Sequence, residues 1–110
     1  AQEDLVMTRD KILKEAAAAT IEREGQFGSP QDNLGLVADL WEQYINNIEP
    51  HPTYLHKEIT AKDVGVMMIL FKVARIASTQ SGKHIKPHHD TLVDIAGYAA
   101  ITSELAEEVD

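Results

Sequence analysis

Apolar residues recur every three or four positions along most of this chain, and polar breaks divide them into four segments. Ile12, Leu13, Ala16, Ala17, Thr20 and Ile21 share helical spacing, and the alanine run favours helix. Thr8 is the expected N-cap, with Asp10 in the first turn, and Gly25 the expected stop, so the first helix is placed at about 9–24. Ser29-Pro30-Gln31-Asp32 is a strong start signal: a capping hydroxyl, a proline at the first helical position and a carboxylate three residues after the cap. The stripe Leu34, Val37, Leu40, Trp41, Tyr44, Ile45, Ile48 follows, predicting a second helix over 30–47 with Trp41 and Tyr44 in the core. Its other face, with Asp32, Asp39, Glu42, Gln43 and Asn46, reads as solvated.

Glu49-Pro50-His51-Pro52 cannot continue a helix. The loop reaching Ile59 is long for a small domain, which marks it as a functional or interface candidate. Thr60-Ala61-Lys62-Asp63 is a second capping box, opening a third helix over 61–77. That helix is apolar nearly all round, so it is either central or covered on its far side by another subunit. A polar loop is expected at 78–87. The fourth helix, about 88–107, has Leu92, Ile95, Ala96, Ala99, Thr102, Leu105 and Ala106 as its stripe and Gly97 within it, where a glycine permits close approach of another helix or a ligand. No strand-like alternation, repeat or low-complexity block interrupts this reading: all-α, a four-helix domain over 9–107, preceded by a flexible acidic leader (1–8) and followed by an acidic tail (108–110).

Composition narrows the partners. The 110 residues carry ten Lys and Arg against eighteen Asp and Glu, for a formal charge of -8. Duplex binders gain most of their affinity from cations that displace counterions, so this balance argues against general nucleic-acid binding. The absence of cysteine excludes disulfides and thiolate metal sites, and with no apolar run long enough to span a bilayer a cytosolic setting is expected.

Against that acidic background, no carboxylate occurs between Val64 and His89. Lys72 and Arg75 share one face of the third helix; Asp90, Asp94 and Tyr98 share one face of the fourth. Lys83, Lys86 and the histidines His84, His88 and His89 lie between. Two readings fit these residues. In one, the third and fourth helices pack antiparallel and the charges form a semi-buried ionic lock. In the other they line a pocket for a small phosphorylated ligand, with Arg75 forking onto a phosphate, Lys72 acting as a point charge and Tyr98 stacking or donating. Asp63, Asp90 and Asp94 provide a further option, a Mg²⁺ site. Adjacent His88 and His89 point about 100° apart on a helix, which disfavours joint zinc chelation. Gln26-Phe27-Gly28-Ser29-Pro30-Gln31-Asp32-Asn33 combines a stacking face, a glycine and a helix start with free N–H groups; a simple hairpin turn explains it equally well.

The segments Glu22-Arg23, Gln26 to Asn33, Leu40-Trp41-Glu42-Gln43-Tyr44, Ile59 to Val64, Met67 to Arg75 and His89 to Ala100 together resemble a family of short phage and prophage proteins of unassigned function. The resemblance covers about residues 9 to 105, and Phe27 stands where that family usually has tyrosine. A more distant likeness is to phage nucleotide-modification-associated proteins and MazG-like nucleotide pyrophosphohydrolases. This likeness implies an oligomeric, Mg²⁺-dependent all-α enzyme with a Glu-x-x-Glu pair on one helix and a Glu-x-x-Asp pair on another. The present chain has Lys72-x-x-Arg75 at the first pair, which attracts phosphate and repels metal. The expectation is therefore a phage-encoded, non-catalytic homo-oligomer in the bacterial cytosol that sequesters a phosphorylated, even cyclic, signal nucleotide as an anti-defence sponge. Lys72 and Arg75 would meet phosphate with Lys83, Lys86 and His89 nearby; Tyr98 and Phe27 would meet the base; Asp94 would orient Arg75 or the ribose. The alternatives are a Mg²⁺-dependent hydrolase using Asp63, Asp90 and Asp94, and an interaction protein without a ligand.

Overall fold

The computed structural model describes residues 2–48, 56–78 and 89–108. Among the described residues four helices make up the fold: α1 (Gln2–Phe27), α2 (Pro30–Ile48), α3 (Ala61–Ser78) and α4 (His89–Glu108). There is no strand among the described residues. α3 and α4 form the central pair; α1 packs on α4 and α2 on α3. Gly65 lies against Thr102 and Lys72 against Asp94, so α3 and α4 run antiparallel. The molecule is elongated, 58 × 33 × 25 Å. Among the described residues no helix is long and apolar enough to cross a membrane.

The two capping signals form as the sequence predicts. The Asp32 N–H donates to Ser29 Oγ at 3.1 Å. Thr60 and Asp63 close a reciprocal box: the Asp63 N–H donates to Thr60 Oγ1 at 3.2 Å, and the Thr60 N–H donates to Asp63 Oδ2 at 2.9 Å. Both satisfy N–H groups that a helix start otherwise leaves open.

α1 departs from expectation at both ends. It begins at Gln2, so residues assigned to an acidic leader have helical backbone and Thr8 lies inside the helix. The stretch from Gln2 to Met7 has no Gly or Pro to interrupt a helical backbone. Gly25 does not end the helix. Gly28 does: it alone among the described residues has a positive φ, +86°, and its N–H donates to the Glu24 carbonyl at 2.9 Å. The left-handed conformation that closes a helix costs glycine nothing.

The core is small. Leu34 and Ala38 of α2, Ala61 and Val64 of α3, and Leu105 of α4 form it, with Trp41, Ile59, Met68 and Ile101 packed around. Tyr44, predicted inside, is 71% exposed. Asn46, predicted on the solvated face, is buried. Its side-chain amide donates to the Lys57 carbonyl at 2.9 Å and accepts the Lys57 N–H at 2.8 Å, while Glu42 Oε1 accepts the Ile59 N–H at 2.7 Å. These polar groups pin the entry to α3 onto α2.

On α4 the most buried of the described positions are Val93, Gly97 and Leu105: Leu105 belongs to the predicted stripe, whereas Val93 and Gly97 lie beside it and the predicted Leu92 and Ala99 are exposed. Packing on both α1 and α3 draws two flanks of this helix inward. As expected, Gly97 sits at a close approach: a Cβ there would meet Thr20 Cγ2 of α1 at 3.5 Å. Gly65 of α3 is tighter still, since a Cβ would lie 2.1 Å from Thr102 Oγ1.

Candidate functional site: an arginine and two aromatics between α1, α2 and α4

α1 ends at Phe27, Gly28 turns the chain and Pro30 opens α2, so the C-terminal end of α1 and the start of α2 border a common space with α4. An open pocket of about 570 Å³ lies there. Arg23 and Phe27, one turn apart on α1, line it together with Asn33 and Leu34 of α2 and Tyr98 and Ile101 of α4. Glu22 and Glu24 also border it.

Arg23 is held in place by α4. Its Nη1 donates to the Tyr98 hydroxyl at 3.1 Å and its Nη2 to Asp94 Oδ1 at 3.3 Å. The guanidinium carbon lies 5.6 Å from the Tyr98 ring centroid, within cation–π range. The other carboxylate oxygen of Asp94 takes the Lys72 ammonium at 3.0 Å. Asp94 thus bridges two cations, one from α1 and one from α3. Lys72 is buried, 8% exposed, while the Arg23 side chain remains 45% exposed at the pocket.

The predicted residues separate into groups. Phe27 and Tyr98 line the pocket, and Asp94 lies immediately behind Arg23. Lys72 forms the ionic lock that was one of the two sequence readings, and it faces Asp94 instead of the cavity. Arg75 is exposed on α3 with its guanidinium 4.9 Å from the Phe71 ring centroid. His89 contacts the Glu15 carboxylate on α1. Lys83, Lys86, His84 and His88 lie outside the described residues.

The carboxylates proposed for Mg²⁺ are not brought together. Asp63 caps α3 at the end where Gly65 meets Thr102. That places it more than about 12 Å along the axis from Asp94 at 1.5 Å per residue. Asp90 is exposed in the first turn of α4. Among the described residues no three His, Asp or Glu side chains converge on a possible metal position.

Sequence reasoning did not assign Arg23 to the site. A signal was present: Arg23 and Phe27 stand at i, i+4 just before the glycine that ends the helix, so they share a face at its exit. Its partners on α4 are 71 and 75 residues away, and no local pattern joins them.

Fold and pocket together define the class: an all-α, four-helix protein with an arginine–aromatic pocket at the α1–α2 junction. The chain belongs to the family described as a domain of unknown function (DUF6378), which matches residues 11–106. It is similar to the Gene 55 protein of Mycobacterium phage L5, 36% identical over 84 residues, covering 76% of this chain and 44% of that protein. It is also similar to the Gene 55 protein of Mycobacterium phage D29, 34% identical over 100 residues, covering 90% and 56%. The chain therefore spans about half the length of these curated relatives. No solved structure matches it.

Proposed function

We propose that this protein binds a small phosphorylated nucleotide in the α1–α2–α4 pocket, holds it without cleaving it, and does so as a self-associating molecule. The observation that carries the reading is the placement of Arg23. A half-exposed guanidinium is oriented by Asp94 and Tyr98 at the wall of a cavity that also presents Phe27. The volume is in the usual range for small-molecule sites, about 300–1,000 Å³. Guanidinium carries five N–H donors, and those not directed at Asp94 and Tyr98 suit phosphate oxygens. Phe27 and Tyr98 offer rings for a base.

Glu22 and Glu24 border the same cavity, so its local charge sums to one cation against two carboxylates. A triphosphate would be repelled there. A single phosphate group next to Arg23, as in a cyclic phosphodiester with one charge or a nucleoside monophosphate with nearly two, fits better. Holding is favoured over hydrolysis because Asp94 is engaged by Lys72 and Arg23, and Asp63 by its cap. The resemblance to phage proteins suits sequestration of a host signal nucleotide. Self-association is supported by α3, which presents large apolar side chains outward as well as inward.

The test is to incubate the protein with cyclic and linear mononucleotides and Mg²⁺, remove free ligand, heat-denature and analyse the supernatant. Intact nucleotide is expected. Cleaved product would support the hydrolase reading, and release of nothing would support an interaction protein.

A further inference from the structure

We propose that the outer side of α3 is a self-contact surface through which two copies of this chain pack α3 against α3 about a two-fold axis. This deepens the self-association in the reading above and does not depend on the nucleotide. One side of α3 is already covered. Ala61, Val64 and Met68 join the core with α2, and Gly65 and Lys72 face α4. Helical geometry at 3.6 residues per turn places Val66, Met67, Leu70, Phe71, Val73 and Ala74 on the remaining side. All six are exposed, Leu70 at 62% and Phe71 at 49%. An apolar helix side of this kind in a water-soluble domain marks a contact surface.

Charge identifies the occupant as a second copy. The chain has a formal charge of -8, and acids are spread over α1, α2 and α4. Two copies meeting through those helices would set carboxylates against carboxylates. α3 has a single acid, Asp63, held in its cap, and none from Val64 onward. Its one lysine within the apolar stretch is turned inward to Asp94. In an isologous contact a surface meets itself, so it must be self-compatible, and an apolar helix side without acids, whose cation Arg75 lies over the Phe71 ring towards the helix end, satisfies that requirement. The shape of the single chain agrees. Its radius of gyration is 17.0 Å, against about 13 Å for a compact chain of this length. Among the described residues Val64 is the largest side chain sealed from solvent.

The test uses sedimentation velocity on the full chain. Wild type is expected to sediment as a dimer or a larger even-numbered assembly. Leu70→Asp is expected to sediment as a single chain with its helical circular dichroism intact. Because the chain has no cysteine, Leu70→Cys supplies a second measurement that requires no loss of packing. Mild oxidation should link it to another copy, while Leu13→Cys, on exposed α1, should stay largely unlinked. A wild type that remains a single chain at tens of micromolar would overturn the proposal and assign this side of α3 to some other partner. So would a Leu70→Asp protein that keeps the wild-type mass, or equal cross-linking at positions 13 and 70. Nucleotide binding is measured separately, so either reading can fail alone.

Discussion

Lys72 Nζ and Asp94 Oδ2 lie 3.0 Å apart inside the contact between α3 and α4, and the second oxygen of the same carboxylate reaches Arg23 of α1. One carboxylate thereby ties three helices together. Both partners are mostly covered, with side-chain exposures of 11% for Lys72 and 22% for Asp94. Removing Asp94 leaves a covered ammonium without its partner. Asp94→Ala should destabilise the fold by about 3 kcal/mol, the lower end of the range for breaking a buried pair. Lys72→Met should cost less, since Asp94 keeps Arg23 and the thioether chain fills the lysine's space. Urea unfolding of the two variants gives the order; equal losses would contradict it.

Gly65→Ala tests the closest helix approach. Its methyl would lie 2.1 Å from Thr102 Oγ1, and forced overpacking of this kind costs about 1–3 kcal/mol. Gly97→Ala, with its nearest neighbour at 3.5 Å, should fall well below that. Thr102 Oγ1 is itself buried without a hydrogen-bond partner. Thr102→Val keeps the shape and removes the unsatisfied hydroxyl, so it should be neutral or stabilising in thermal melts.

The polar clamp at Asn46 should be nearly as sensitive. Asn46→Ala leaves the Lys57 N–H and carbonyl without their partner. A loss of about 1–3 kcal/mol is expected, the desolvation cost of an orphaned polar group. Amide exchange should accelerate at 57–60 more than in α4. Uniform acceleration would show that the clamp does not act locally.

These variants also mark what the sequence could disclose. Ser29 and Thr60 were legible as caps because the partner N–H is three residues away, and nothing distant competes for it. The pairing of Lys72 with Asp94 was legible as one of two readings, since helical spacing puts them on facing sides of a helix hairpin. Whether that charge faced a ligand or an acid depended on packing that spacing does not encode. Asn46 is not legible as buried, because a polar residue on an amphipathic helix reads as surface, whereas its partner is the backbone of a later loop. Arg23 is hard to single out for a similar reason: its partners Asp94 and Tyr98 are on α4, brought alongside by the tertiary fold. Tyr44 and the outer residues of α3 match the apolar pattern yet lie exposed, because periodicity reports that a face is apolar and not what covers it.

Phe27 separates a stacking role from a structural one. It is 62% exposed and lies at the rim of the pocket. Phe27→Ala should leave the melting temperature within a degree or two and weaken nucleotide binding by roughly tenfold, as expected for loss of one aromatic stacking contact of about 1–3 kcal/mol. Phe27→Tyr should bind as well as wild type. A large fall in stability would instead assign Phe27 to packing.

The central claim is that Arg23 presents its guanidinium to the phosphate of a bound nucleotide. Isothermal titration of cyclic and linear mononucleotides into wild type and Arg23→Ala, with helicity checked for both, tests it most directly. Saturable binding to wild type and a roughly ten- to hundredfold loss in the variant are predicted, in line with about 1.5–3 kcal/mol for a hydrogen bond to a charged group. Absence of binding to wild type, or equal affinity in the two proteins, would contradict the account.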